Sequence, residues 1–458
     1  MAPVHCTPAD VPDMLAKVAR IQLALRAYIA RHCPASRLPI ELWDIIFDHS
    51  LAETPAPSRA DAPLNVSQVC RRWRNIAVSN PHLWAGLAIT TTRRHTERGP
   101  ALEALWRLVQ LWLRRAAARP LSVSLTHTEA LKSTLAAFSP IPLLLTTILA
   151  HASHLRTLDL CIPEAFLFPL ESPDLYLPVL AHLKIAAPWP CLAAPDTALP
   201  IAHAPRLRTL ALRDVTFAPI DAHDYTQLTA LTLLPAAHAP AAVWSVDDAL
   251  ACLAAAPRLH TLRTCISDTL PRRRTLVHSE SLRDLSLEFR DTPTPGAFFS
   301  LLYTPRLRGL AVRGGARAGA WPHAQFLAYL GATPALRALH LAHLPLFETQ
   351  VLECVRRVPA LTHLVLEARL QRGVGDTLLS GLTLGGGEAC GGGVARAAPG
   401  LRSVEFRHCG KRCTEAALMR MVESRRGPLR YLRVHRASAE LAARVKGWDV
   451  DVVVDVQC

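Results

Sequence analysis

Thr304-Pro305-Arg306-Leu307-Arg308-Gly309-Leu310-Ala311-Val312 and Thr333-Pro334-Ala335-Leu336-Arg337-Ala338-Leu339-His340-Leu341 are two copies of one phrase, and that phrase decides the fold. Its core is L-x-x-L-x-L. The fourth and sixth residues are two apart, so on a short strand they point to the same side. The phrase recurs at Leu155-Leu158-Leu160, Leu180-Leu183-Ile185, Leu207-Leu210-Leu212, Leu228-Leu231-Leu233, Leu282-Leu285-Leu287, Leu361-Leu364-Leu366 and Leu401-Val404-Phe406. Degenerate copies sit at Leu259-Leu262 and Leu429-Leu432-Val434. One such unit cannot bury its apolar face alone, whereas neighbours stacked side by side make a continuous core. The spacing is close to a repeat period of about 20 to 29 residues.

Between phrases, several stretches read as helical return legs. Ser245-x-x-Asp248 before Ala249-Leu250-Leu253 is a capping-box pattern, and Thr414 before Leu418, Met419 and Met421 is an N-cap ahead of an apolar face. Gly296 to Tyr303, Pro322 to Leu330 and Phe347 to Val358 serve similarly. An earlier unit is expected where Leu102, Leu105, Leu108, Val109 and Leu113 form a stripe before the strand-like Leu121-Ser122-Val123-Ser124-Leu125. Val450, Val452, Val454 and Val456 alternate with polar neighbours, as a closing edge strand does. These features resemble degenerate leucine-rich repeats. No consistent Asn or Cys follows L-x-L, so the coils should be uneven. The long interval from Leu361 to Leu401 holds Gly385-Gly386-Gly387 and Gly391-Gly392-Gly393, which reads as a Gly-rich loop at about 371–398.

The chain opens differently. Leu38-Pro39-Ile40-Glu41-Leu42 places Pro at a helix start and an acid in the first turn. Leu42, Ile45 and Ile46 then mark one face, while Trp43 and Phe47 mark another, so the helix is apolar on two sides. Val69-Cys70-Arg71-Arg72-Trp73 and Pro81-His82-Leu83-Trp84 follow. Roughly 50 residues cannot cover so much apolar surface unaided. Leu-Pro, an apolar helix, Val-Cys-x-x-Trp and a closing Leu-Trp resemble the F-box, with a Pro- and Ala-rich insertion from Ala52 to Pro63. The wording at Pro63-Leu64, Ser67 and Asn75-Ile76-Ala77 is similar to that of F-box proteins of mushroom-forming fungi. The resemblance implies a module that docks on a Skp-type adaptor and through it on a cullin. It implies Leu38, Pro39, Leu42, Ile45, Ile46, Val69, Trp73 and Trp84 as the adaptor interface together with the module's own core. Before this module, Met14, Leu15, Val18, Ile21, Leu25 and Tyr28 stripe a helix between Pro12 and Pro34, which is expected to pack beside the F-box or, in the alternative, to form a short coiled-coil seam.

The expected architecture is therefore α/β: an amphipathic helix in 1–36, a helical F-box module in 37–88, and a leucine-rich-repeat solenoid in 89–458, with parallel strands on its concave side and helices on its convex side. Over 458 residues the formal charge is +14, carried by Arg, since only five lysines occur. The charge is dispersed rather than gathered into a patch with interleaved aromatics, which argues against a nucleic-acid binder. Twelve cysteines at irregular spacing point to reduced thiols in the cytoplasm or nucleus. The longest apolar runs, such as Ile141 to Ala150, are far short of the roughly 20 residues that span a bilayer.

No catalytic constellation is present in the sequence, and no cofactor is expected. His408-Cys409 with Cys413 lacks a second pair at metal-ligand spacing. The Gly-rich run lacks the Lys-Ser/Thr of a phosphate loop. Cys70 reads as a small buried hydrophobe. One pattern points to recognition: Arg follows the first Leu of the phrase at Arg156, Arg208, Arg283, Arg308, Arg337, Arg402 and Arg430. Stacked strands would set these about 4.8 Å apart where copies are adjacent, as a candidate stripe for an acidic or phosphorylated target; the plainer reading is that each Arg lays its stem over the strand edge. The expected function is a non-catalytic substrate receptor of a Skp-cullin-F-box ubiquitin ligase with an unidentified protein target. A stand-alone repeat scaffold and a charge-driven nucleic-acid binder are the alternatives.

Overall fold

The computed structural model describes residues 11–32, 34–92, 99–128, 141–188, 203–215, 226–234, 244–266, 272, 275–289, 295–315, 321–367, 374–384, 397–407, 413–435 and 451–455. The chain divides into two compact units, Met1–Thr90 with Arg98–Ser122, and Thr91–Glu97 with Val123–Cys458.

The first unit is built from helices Val11–His32, Ile40–His49, Leu64–Val69, Arg71–Ser79 and Gly99–Ala116, with a short turn of helix at Pro81–Trp84. Pro39 is the N-cap of the Ile40–His49 helix, one position before the expected one. The insertion is fastened to the following segment, because Ala88 N–H donates to Pro55 O at 2.7 Å. The helix Gly99–Ala116 forms as read from its stripe, ahead of the strand Leu121–His127, and the helix belongs to this unit. Its apolar side carries Trp112, which meets Trp84 edge-on with ring centroids 4.9 Å apart and donates from Nε1 to Gly86 O at 2.9 Å. The N-terminal helix departs from expectation in another way. Met14, Leu15, Val18, Ile21, Leu25 and Tyr28 are all exposed, so its stripe is not buried.

In the second unit the phrases form the strands. From Leu155–Cys161 through His182–Ala186, Thr209–Arg213, Ala230–Leu234, Thr261–Ile266, Asp284–Phe289, Gly309–Gly314, Ala338–Ala342, His363–Glu367, Ser403–Arg407 and Tyr431–His435 to Asp451–Asp455, neighbours pair in sequence order and always parallel. The register aligns the same phrase position on every rung: Leu285 faces Leu310, Leu310 faces Leu339, Leu339 faces Leu364 and Leu364 faces Val404. These residues are buried, as are the first and sixth positions of the phrase, for example Leu307 and Val312. Each buried Leu is worth about 1.5–3 kcal/mol relative to exposure, so the repeated triplet supplies a core running the length of the sheet.

Helices Val246–Ala255, Pro295–Ser300, His323–Gly331, Glu348–Arg357, Asp376–Leu382 and Glu415–Ser424 stack behind the sheet, each touching the next. The capping box at Ser245 and Asp248 is formed as read, and Thr414 caps its helix by accepting from Ala417 N–H. Acids in the first turns bind one repeat to the next: Glu348 accepts from Leu378 N–H at 2.9 Å, and Asp376 accepts from Thr414 N–H at 2.6 Å and Thr414 Oγ1 at 2.9 Å. The helix Asp376–Leu382 corrects the reading of 371–398 as one loop. Leu378, Leu379 and Leu382 are buried, and Gly381 lets the helix approach Leu352, where a Cβ would sit 2.5 Å from the Leu methyls. Both glycine triplets lie outside the described residues, as do Val450 and Val456. A second, two-stranded parallel pair, Val277–His278 with Leu302–Tyr303, has no counterpart in the sequence reading.

Candidate functional site

Within the first unit, the two apolar sides of Ile40–His49 have different fates. Trp43 and Phe47 are buried and meet Trp73, with centroids 4.6 Å apart for Trp43–Trp73 and 5.3 Å for Phe47–Trp73. Polar ties hold the helices around this aromatic cluster: Asn80 Nδ2 donates to Asp44 Oδ1 at 3.0 Å, Arg72 to Leu38 O at 2.7 Å, and Arg74 Nε to Ser67 O at 2.9 Å. Trp84 is completely buried, donates from Nε1 to Ala77 O at 2.7 Å, and carries the Arg115 guanidinium over its ring at 4.5 Å. Partial burial pushes the pKa of Arg115 below its ordinary value. On the opposite side Ile40, Leu42, Ile45 and Ile46 are exposed, and Val69 is 62 % exposed.

On the second unit, the residue after the first Leu of each phrase belongs to a backbone ladder. Arg283 N–H donates to His260 O at 2.8 Å, Arg308 N–H to Arg283 O at 2.7 Å, and Arg337 N–H to Arg308 O at 2.8 Å. The same bond links Thr362 to Arg337, Arg402 to Thr362 and Arg430 to Arg402. Arg283, Arg308 and Arg337 thus occupy consecutive rungs, with side chains exposed. Arg156 and Arg208 are separated by Ala181, and Thr362 intervenes before Arg402 and Arg430. Next to the three consecutive arginines, the open face of the sheet holds a depression of about 430 Å³ lined by Arg263, Asp284, Gly309, Ala311, Ala338 and His340 among others. His340 is partly buried, and its pKa is pushed below the ordinary histidine value by burial first and by Arg407 next, against the opposing pull of Glu367.

Residues 35–90 match the family model described as F-box-like. The match covers the segment just described and leaves the repeats outside it. No curated protein matches the chain significantly. Among solved structures, the chain is similar to that titled "Crystal structure of TLR13-ssRNA13 complex", at 13 % identity and a TM-score of 0.25, over 70 % of this chain and 54 % of that one. The chain therefore spans about half the length of that structure.

The structure sorts the residues named for the F-box-like segment into two groups. Pro39, Leu42, Ile45, Ile46 and Val69 lie on the exposed side, with Leu38 half-buried among its neighbours. Trp84 is core, and Trp73 is half-buried in the aromatic cluster. The exposed Ile40 belongs with the first group and was not singled out, although it directly follows Leu38-Pro39. Cys70 is a correction: it is exposed rather than buried, and its Sγ accepts from Trp73 N–H at 3.4 Å as the N-cap of Arg71–Ser79. The Val-Cys-x-x-Trp spacing sets this bond, since a cap reaches the N–H three residues on. Cys413 is half-buried, while His408 and Cys409 lie outside the described residues. Among the described residues no group of three or more His, Cys, Asp or Glu is placed to hold a metal ion, and no helix is long and apolar enough to cross a membrane.

Proposed function

We propose that this chain is a non-catalytic substrate-recognition subunit of a Skp-cullin-F-box type ubiquitin ligase, in the cytoplasm or nucleus. Its F-box-like segment docks on a Skp-type adaptor, and its repeat sheet binds a protein target for ubiquitin transfer by other subunits. The observation that carries the reading is the exposed side of Ile40–His49 and Val69, five large apolar side chains on a segment that matches the F-box-like model. Burying even half of that surface against a partner is worth several kcal/mol, at about 25 cal/mol per Å². The same helix keeps Trp43 and Phe47 for its own core, so docking needs no unfolding.

Size-exclusion chromatography of the purified chain with a Skp-type adaptor tests the reading. Wild type should co-elute, and an Ile45→Asp, Ile46→Asp double variant should lose the complex while keeping its circular dichroism spectrum. Failure of wild type to co-elute, or unchanged co-elution of the variant, would leave the repeat sheet as a stand-alone scaffold.

A further inference from the structure

Building on the receptor reading above, we propose that the target is an acidic peptide segment that seats an apolar anchor side chain in the depression over Gly309, Ala311 and Ala338. Those three residues lie on adjacent strands, with Gly309 in register with Ala338 and with Asp284, and Ala311 in register with Ser286 and His340. The depression lies over these small residues, with His340 on the strand of Ala338 and Arg263 two strands from Gly309 also lining it.

The residues around the depression carry the charge. Arg283, Arg308 and Arg337 directly precede the lining residues Asp284, Gly309 and Ala338, and their own backbone bonds fix them on consecutive rungs. All three are exposed, and no carboxylate of the described residues lies within 4.0 Å of their guanidinium groups. Arg263 is partly buried, and Arg213 and Arg313 act on it with like charge while Glu288 opposes them. Arg313 itself is engaged by Glu367 at 3.2 Å. Like charges on these rungs gain from a partner that brings carboxylates, to which Arg donates two parallel hydrogen bonds. Side chains two residues apart on an extended peptide are separated by about 7 Å, and rungs by about 4.8 Å, so alternating acids reach across one to two rungs of the Arg row.

Two features favour a peptide over a nucleic acid. Asp284 stands in the depression, its Oδ1 2.5 Å from where a Cβ on Gly309 would be. A carboxylate there accepts a peptide backbone N–H, a donor that a phosphodiester backbone lacks. No Phe, Tyr or Trp is among the described lining residues, so the stacking platform that binds single-stranded bases is missing.

Fluorescence anisotropy on the full chain decides the matter. The probes are a fluorescein-labelled 14-residue peptide alternating Glu with Ser around a central Leu, the same peptide with Gln or with Lys in place of Glu, and a labelled 14-nucleotide thymidine oligomer. The Glu peptide should bind at least tenfold tighter than the Gln peptide. Arg308→Glu with Arg337→Glu should weaken it at least tenfold, and Ala311→Phe, which fills the depression, at least fivefold. Arg356→Glu with Arg420→Glu, an equal charge change on the helix side, should leave it within twofold. Equal binding of Glu and Gln peptides, no binding, or insensitivity to these variants overturns the proposal, as does tighter binding of the oligomer. The receptor reading is scored separately, because adaptor co-elution of the same preparations does not involve this face; a neutral or basic peptide displaced by Ala311→Phe would overturn the acidic target and leave the receptor intact.

Discussion

Arg425 is wholly buried, and its guanidinium donates from Nε to Leu382 O and from its two terminal nitrogens to Ala398 O and Ala397 O, all at 2.8 Å. Burial pushes its pKa down to about 10, so it stays charged at neutral pH. Three carbonyls on either side of the span 385–396 thus share one cation. Removing the donor strands them in a dry site, where leaving a buried acceptor unsatisfied costs about 1–3 kcal/mol. Urea denaturation of Arg425→Ala should show a loss of that size, and Arg425→Lys should recover little, because a single ammonium cannot align with all three acceptors. Cys70 offers the opposite sign. Sulfur is a weak acceptor and the Cys70–Trp73 bond is 3.4 Å long, whereas Ser is among the best N-caps. Cys70→Ser should therefore stabilise the first unit by about 0.5–1 kcal/mol, read as a higher denaturation midpoint; an unchanged or lower midpoint would show that the thiol is not acting as a cap.

At the level of elements, the helix Gly99–Ala116 matters most, since Trp112 and Arg115 are what cover Trp84. A fragment ending at residue 92 lacks that cover and should show no cooperative unfolding by circular dichroism. A fragment ending at residue 122 should unfold in one sharp transition. The comparison also shows what sequence can reveal. The two-sided helix Ile40–His49 and the strands of the repeat are legible because apolar spacing alone determines which way each side chain faces. The neighbour of a helix is not legible in this way: the stripe on Leu102, Leu105 and Leu113 says that one face is buried but not against what. Asp376–Leu382 escaped notice because Gly375 and Gly381 look like loop residues, although Gly381 is there to let Leu352 approach. The pair Val277–His278 and Leu302–Tyr303 is two residues long on each side, too short for any period to register. At the candidate site, the Arg row was legible from the phrase, while the depression was not, because it arises from small residues on two adjacent strands that only the register brings together.

For the molecule as a whole, the division into two units has an energetic consequence. The first unit has a core of its own around Trp43, Phe47, Trp84 and Trp112, and the second has the Leu ladder. In a stacked array each repeat is stabilised chiefly by its immediate neighbours, so a defect in one rung is felt along the array through nearest-neighbour terms. The first unit's tryptophan core is not built from that repeated Leu pattern. Differential scanning calorimetry should accordingly resolve two transitions. Leu310→Ala removes a side chain that is 2 % exposed at the centre of the ladder, and large-to-small changes of this kind cost about 2–5 kcal/mol. It should lower the transition of the repeats and leave the other in place. Trp112→Ala, at about 3–5 kcal/mol, should do the reverse. If either variant moved both transitions equally, the chain would be unfolding as one cooperative body, and the prediction of two transitions would fail.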